Sequence, residues 1–318
     1  MSVYNDARYL GAAIESILAQ SFGDFEFLIV DDGSTDGSSA IIDDFAARDP
    51  RIRAIHQENR GLIASLNRML DEARALLFAR MDGDDIALPD RFERQVAFLS
   101  EHPECGVLGG QAEDIDPEGR SLGPSWSRPV GPEAVREALG HYSPLVHPSV
   151  MARTEVLRTL GGYRAAYRHC EDYDLWLRAA EVTQLDNLSE PLVRYRRSPD
   201  QVSNRHIVTQ NYGALVARAA ALARVEGRTD PTGDAKALPT LEDLDAAFAH
   251  KGVTAWVRER LAHGLVYSPD ALRGEGFAIL IDHVSAGGSR DGMWRAAARL
   301  ARMGEWSRAA RLGYALLG

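Results

Sequence analysis

Three short acidic stretches carry the side chains best suited to chemistry. Asp82-Gly83-Asp84-Asp85 sets three carboxylates around a glycine, and a residue without a Cβ lets the backbone come close to a ligand. Hard divalent cations take oxygen ligands. In phosphate chemistry Mg2+ or Mn2+ uses one or two protein carboxylates and fills its other positions with phosphate oxygens and water. An ion held that way offsets the charge of a departing diphosphate. Asp31-Asp32-Gly33-Ser34-Thr35-Asp36 could accept hydrogen bonds from a base or ribose, as acids do at dinucleotide sites. Glu171-Asp172 stands before a helical pattern. An acid at a helix N-terminus is stabilised as the anion, which suits a general base that takes a hydroxyl proton. Each stretch also has a plainer reading, since Asp-Gly makes turns and acids beside helix starts act as caps. His147, ahead of Pro148, reads as a structural histidine.

These side chains need elements to position them. Phe25 to Val30, Ile52 to His56 and Leu76 to Met81 are short apolar runs that read as buried strands. Between them lie helical periodicities: Tyr9, Leu10, Ala13, Ile14, Ile17; then Ile41, Ile42, Phe45, with Ser34 and Asp36 placed to cap; then Leu62, Leu66, Met69, Leu70. Strands alternating with helices indicate βαβ units and a parallel sheet, and ligands in such sheets sit outside the carboxyl ends of the strands. Asp31–Asp32 and Asp82–Asp85 both fall at that edge, the strongest purely physical pointer to a site. Further on, Gly106–Gly110, Val146–Met151 and Leu192–Tyr195 read as strands, and Asp114 to Pro132, rich in Gly, Pro and Ser, as loop. Beyond about residue 205 the chain turns Ala- and Arg-rich. Helical patterns there cover 241–250, 253–264, 270–284 and 291–317, the last interrupted at Gly304, with a linker over 227–239. Their apolar residues read as core in preference to membrane anchor.

Composition narrows the classes. At 318 residues, with 45% apolar and 26% charged residues, the chain suits one large α/β domain and a smaller appendage. The net charge of −10 argues against nucleic acid, whose binding draws its affinity from basic side chains on phosphates. An acidic protein that takes a diphosphate needs a cation or a few local arginines. Only Lys236 and Lys251 are lysines among 36 basic residues, so one arginine is weak evidence of function. Cys105 and Cys170 cannot make a disulfide framework, and with no leader recognised the expectation is a reducing cytoplasm. No apolar run of about 18 residues is present.

Taken together, Tyr4-Asn5, Ile29-Val30-Asp31-Asp32-Gly33-Ser34-Thr35-Asp36, Met81-Asp82-Gly83-Asp84-Asp85, Leu88-Pro89-Asp90-Arg91, His147-Pro148-Ser149-Val150-Met151, Gly161-Gly162-Tyr163 and Glu171-Asp172-Tyr173-Asp174-Leu175-Trp176 resemble family 2 of the inverting glycosyltransferases. The order and spacing of several motifs over residues 2 to 205 carry the resemblance. It implies an α/β GT-A fold, Rossmann-like, with a mostly parallel sheet flanked by helices over residues 1–205 and a helical C-terminal region over 206–318. It implies that Tyr4 packs on a nucleotide base, Asp32 bonds the base with Asp31 beside it, and Asp82 sits near the ribose. Asp84, with Asp82, would hold Mn2+ or Mg2+. Asp172 resembles the catalytic base, with Glu171 next to it. The implied partners are a nucleoside-diphosphate sugar donor, a UDP-sugar foremost, and a glycan or lipid-linked acceptor, with peripheral association at the inner face of a membrane.

Two features depart from the family pattern. The first strand is confined to Ser2–Tyr4, and Ser198 stands where many relatives have a His after the Tyr195-Arg196 pair. Loss of an interior strand would leave ladder partners open, so a catalytically inactive sugar-nucleotide-binding module is the alternative. A nucleotidyltransferase shares the parallel sheet, but its Gly-rich, Lys-containing N-terminal loop is not visible.

Overall fold

The computed structural model describes residues 1–198 and 206–317. The segment that follows Ser198, residues 199 to 205, lies outside the described residues. The chain divides into two compact units, Met1–Arg164 with Asp172–Ser198, and Ala165–Glu171 with the described part of Pro199–Gly318.

The first unit begins with β1 (Ser2–Val3), α1 (Ala7–Leu18), β2 (Phe27–Asp31), α2 (Ser38–Arg48), β3 (Ile52–His56), α3 (Leu62–Glu72) and β4 (Leu77–Ala79). β1, β2 and β3 form a parallel sheet in that order. β2 is buried along its whole length, as a strand covered on both faces must be. Short as β1 is, its ladder is intact. The Val30 amide donates to Met1 O at 2.9 Å and the Asp32 amide to Val3 O at 2.8 Å, so β2 is not left with open donors there. Ser2 also makes a parallel bridge to Asp82. β1 therefore lies between the strand that ends in Asp31 and the segment that carries Asp82.

The chain continues through β5 (Ile86–Ala87), α4 (Arg91–Glu101), β6 (Cys105–Ile115), β7 (Ser121–Pro124), α5 (Pro132–Leu139), β8 (Met151–Arg153), α6 (Thr154–Thr159), α7 (Glu171–Ala179) and β9 (Gln184–Arg196). Here the sheet is mixed, in the order β4-β8-β6-β9-β5, with β7 on β6. Parallel pairing dominates the N-terminal half only. In this second sheet β6 and β9 are parallel, whereas β4 with β8 and β5 with β9 run antiparallel. Two local readings change. Val146–Met151 is strand only from Met151, where β8 begins: residues 147–149 make a 3-10 turn ahead of it, because Pro148 has no N–H for a ladder and Ser149 Oγ donates back to Val146 O at 2.7 Å. The segment read as loop over 114–132 contains β7, paired with the end of β6.

Arg91, fully buried, ties the layers together. It donates to Arg80 O at 2.7 Å, Val150 O at 3.2 Å and Gln95 Oε1 at 3.0 Å. Burial pushes its guanidinium down to about 9. Three carbonyl or amide acceptors in a dry core reward a planar fork of donors, and the contacts fix the carboxyl end of β4, where the acidic loop begins.

The second unit is helical: α8 (Ile207–Val225), α9 (Leu244–Ala247), α10 (Val253–Leu265), α11 (Pro269–Arg273), α12 (Gly276–Ser285), α13 (Met293–Arg302) and α14 (Trp306–Leu317). Leu261, Leu265, Leu280, Leu300 and Leu312 form part of its buried interior. The 270–284 pattern splits at Gly274, and within 227–239 Asp230 accepts from the Thr232 amide at 2.8 Å. No described helix is long and apolar enough to cross a membrane.

Candidate active site

Asp82, Asp84 and Asp85 offer carboxylate oxygens that all lie within 4.8 Å of one another. The loop is crowded with a fourth acid that the sequence did not single out. A Cβ on Gly83 would meet Asp6 Oδ2 at 2.8 Å, so a larger residue there would push the Asp6 carboxylate aside. Burial, then the Asp84 charge, raises the Asp6 carboxyl to about 7. Burial, then Asp82, raises Asp84 to about 6. Asp85 rises well above the usual carboxylate range for the same reasons, burial first and Asp84 next. Its Oδ1 accepts from the Arg196 amide at 2.7 Å, while its buried Oδ2 has no partner.

Protein cations offset part of this charge. Arg80, 5% exposed, is ion-paired with Asp82. Burial opposes its charge, but Asp82 outweighs that and raises its pKa. Arg196 donates from Nε to Asp84 O at 2.7 Å and lies over the Tyr9 ring at 4.3 Å, so it braces the loop backbone. Four clustered carboxylates against one paired guanidinium leave an oxygen-rich, desolvated, negative cradle with an orphan oxygen. A hard divalent cation fits such a donor set.

Asp172 sits in the first turn of α7. Burial raises its carboxyl above the ordinary value, opposed first by the Tyr173 amide and then by the positive fields of Arg80 and Arg128. Arg80 thus connects Asp172 electrostatically to the acidic loop, although the two are far apart in sequence. α7 is held by Arg178, which donates to Leu160 O at 2.7 Å, to Gly162 O at 2.8 Å and to Asp174 at 2.9 Å. Glu171 opens the same helix and is buried. His147 donates or accepts at Tyr163 Oη, 3.0 Å away. Burial, and then Arg80, lowers its pKa well below the ordinary value.

The Asp31–Asp36 loop is built differently. Asp31 accepts from the Ser34 amide, Ser39 Oγ and His56 Nδ1. Burial works against its charge, but those bonds outweigh it and hold the carboxyl at about 2. Asp32 Oδ1 accepts from Gln57 Nε2 at 2.7 Å and the Arg60 amide at 2.8 Å, and its Oδ2 from the Gly61 amide at 2.8 Å. Asp32 itself is buried, 2% exposed. Asp36 and Ser38 take up the amides of Ala7 and Asp6, at 2.9 and 3.0 Å, so this loop also caps α1. Asn5, at φ 59°, adopts the left-handed region that Asn tolerates, and its side chain accepts from the Thr35 amide at 2.8 Å. The result leaves Tyr4 at the end of β1 with its ring 52% exposed.

The structure therefore brings Asp82, Asp84, Asp85 and Asp6 together, and Arg80, paired with Asp82, also lowers the Asp172 carboxyl. The structure places Asp31 and Asp32 one strand away, across β1. Asp6 and Arg80 escaped sequence reasoning because one precedes an ordinary helix and the other is one of many arginines.

The family model of glycosyl transferase family 2 matches residues 1–161. The chain belongs to that family. EpsE of Bacillus subtilis (strain 168), assigned as a glycosyltransferase, is 40% identical over 212 residues, 64% of this chain and 74% of that one. The amylovoran biosynthesis glycosyltransferase AmsE of Erwinia amylovora is 29% identical over 209 residues, covering 64% and 77%. Among solved structures, S. aureus TarS 1-349 in complex with UDP matches with a TM-score of 0.57 at 18% identity, over 98% of this chain and 86% of that one. The mannosyltransferase PcManGT of Pyrobaculum calidifontis, in complex with GDP-Man and Mn2+, matches at 0.52 and 18%, over 99% and 84%. The glycosyltransferase thus has the GT-A fold, α/β with parallel and mixed sheets flanked by helices and with C-terminal helices added.

Proposed function

We propose that this glycosyltransferase is metal-dependent and inverting. It moves a sugar from a nucleoside-diphosphate sugar, a UDP-sugar by preference, to a hydroxyl of a glycan or lipid-linked acceptor, in cell-surface polysaccharide or glycolipid synthesis at the cytoplasmic face of a membrane. The observation that carries the reading is the Asp82–Asp84–Asp85 group with its buried, unpartnered Asp85 oxygen. The UDP and GDP-Man/Mn2+ complexes of the structural neighbours and the amylovoran role of AmsE support it.

Asp84, with Asp82, holds Mn2+ or Mg2+; bound there, the ion neutralises charge on the departing diphosphate. Tyr4 lends its exposed ring to the base, because an aromatic face stacks on any base without reading it. Asp32 bonds the base, and Asp31 fixes the loop that carries it. Asp82 lies near the ribose. Asp172 takes the proton of the acceptor hydroxyl. The freed oxygen forms a bond to the anomeric carbon as the bond from that carbon to the diphosphate oxygen breaks on the opposite face, which inverts configuration. Burial raises the Asp172 carboxyl above its ordinary value and so makes it a stronger base than a surface carboxylate, with the Tyr173 amide and then the fields of Arg80 and Arg128 opposing the rise. Glu171 fixes the start of the same helix.

A donor-hydrolysis screen over several nucleotide sugars, with Mn2+ and with EDTA, tests this. Metal-dependent release of nucleoside diphosphate is expected. UDP binding with Mn2+ and no turnover over the whole panel would replace the reading with that of a silent binding module.

A further inference from the structure

The helical unit ends in a hairpin whose outer surface is not used for packing. α14 buries Leu312 and Leu316. Trp306, Ala310, Tyr314 and Leu317 recur at helical spacing on another face of the same helix, and Trp306, Tyr314 and Leu317 are 70%, 83% and 76% exposed. Trp294 of α13, half exposed, extends this stripe, since a Cβ on Gly313 would meet its ring at 3.8 Å. On its other side Trp294 walls a cleft of about 450 Å³ with His263, Tyr267, Asp291 and Arg295. Tyr267 is also exposed.

Charge singles out the same segment. Residues 290–317 contain six arginines against Asp291 and Glu305, a net of +4 in a chain whose total is −10, so the remainder carries −14. Arg295, Arg302 and Arg311 are exposed on the same two helices, Arg311 over the Phe277 ring at 5.9 Å, and Arg299 lies over the Tyr267 ring at 5.7 Å.

We propose that this face of α13 and α14 seats the protein on an anionic lipid bilayer. Trp and Tyr favour the headgroup level, where one side of the ring is apolar and the other wet. Arginine keeps its stem on the apolar surface while its head reaches lipid phosphate. Charge decides against a second copy of the chain on this face, which would set +4 against +4. A contiguous exposed stripe of two tryptophans, a tyrosine and a leucine needs an occupant, and a polyanion without an apolar layer would leave Trp306 and Leu317 in water. This deepens the membrane-face part of the proposed function and rests on it, but lipid binding requires no turnover, so either can fail without the other.

The test is co-sedimentation of the full chain with vesicles of phosphatidylcholine alone and with phosphatidylglycerol added. Binding to the anionic vesicles, weakened by salt, is expected. Arg302→Ala and Arg311→Ala should each lower the partition coefficient about fivefold. Trp306→Ser with Leu317→Ser should lower it more than about tenfold, with the circular dichroism spectrum unchanged because these side chains lie outside the core. Equal binding to both vesicle types, no binding to either, or binding by the Trp306→Ser, Leu317→Ser protein at the parent level would overturn the proposal. So would a concentration-dependent dimer, or capture by immobilised glycan without lipid, that those substitutions abolish.

Discussion

Replacing Asp84 by Asn should make the metal-free protein more stable at neutral pH while removing its response to Mn2+. The magnitude follows from the site. Asp84 is raised from 3.8 to about 6, by burial first and Asp82 second, and one pKa unit corresponds to about 1.4 kcal/mol. The ionised carboxylate therefore destabilises the metal-free fold by roughly 3 kcal/mol well above pH 6. The sign is that of an acid disfavoured in the folded state. The penalty is absent below the unfolded pKa, grows as pH rises from about 4, and is complete above about 7; roughly 2 kcal/mol of it falls between pH 4.5 and 7.5. Asp6, Asp82 and Asp85 face the same space with Arg80 and Arg196 as counter-charges, so the neighbouring acids titrate together and their effects do not add. In Asp84→Asn the group cannot ionise. The difference in unfolding free energy between variant and parent should widen by about 2 kcal/mol from pH 4.5 to 7.5, a gap of roughly 4–8 °C in melting temperature for a domain of this size. Thermal unfolding of EDTA-treated protein across that range measures it directly. Adding Mn2+ should raise the parent's melting temperature more at pH 7.5 than at pH 5, and leave the variant nearly unmoved. A variant-minus-parent difference that stays flat with pH would refute the claim that these acids share one desolvated cradle.

Three further outcomes are expected. Asp172→Asn should reduce turnover by about 10²–10⁴, the usual contribution of a general base, with donor affinity in calorimetry unchanged; retained turnover would remove Asp172 from the chemistry. Tyr4→Ala should weaken nucleotide binding by about 1–3 kcal/mol, the range for one base on one aromatic ring. Because Tyr4 is exposed, its melting temperature should stay within a degree or two of the parent's. Gly162→Ala should destabilise by about 1–3 kcal/mol in urea titration, because Gly162 sits at φ 68° and the new Cβ would meet Asn67 Oδ1 at 2.5 Å. That contact would disturb the reciprocal bonds between Asn67 and Tyr163, both 2.8 Å, and a neutral result would show that the turn has slack.

How far the sequence reaches depends on whether a signal is local. β2 and β3 were readable because each is a short branched or aromatic run closed by polar residues, and β3 matches its reading, Ile52 to His56, residue for residue. β9 was not. It runs from Gln184 to Arg196, but its first half, Gln-Leu-Asp-Asn-Leu-Ser-Glu, looks like loop, and it is a strand because β6 lies beside it in parallel register. Only the Leu192–Tyr195 end, apolar in its own right, could be seen in advance. The turn at His147–Ser149 hides for the opposite reason: its flanking valines advertise a strand, and a single missing N–H vetoes it.

The site divides along the same line. Asp82, Asp84 and Asp85 announce themselves because they are adjacent, and adjacency alone brings carboxylates into metal-binding range. Asp6 reaches them only because Ser2 bridges to Asp82 and Gly83 leaves room for its carboxylate, so its role depends on a pairing between distant segments that no window of sequence displays. Arg80 is harder still. In a chain with 34 arginines, nothing marks the one that is buried against Asp82 and whose field reaches Asp172. Helical spacing has the same blind spot, since in α14 it predicts one apolar face and the helix carries two. Leu312 and Leu316 went into the core as periodicity requires, and the residues that periodicity cannot place, Trp306, Tyr314 and Leu317, are the ones left facing out.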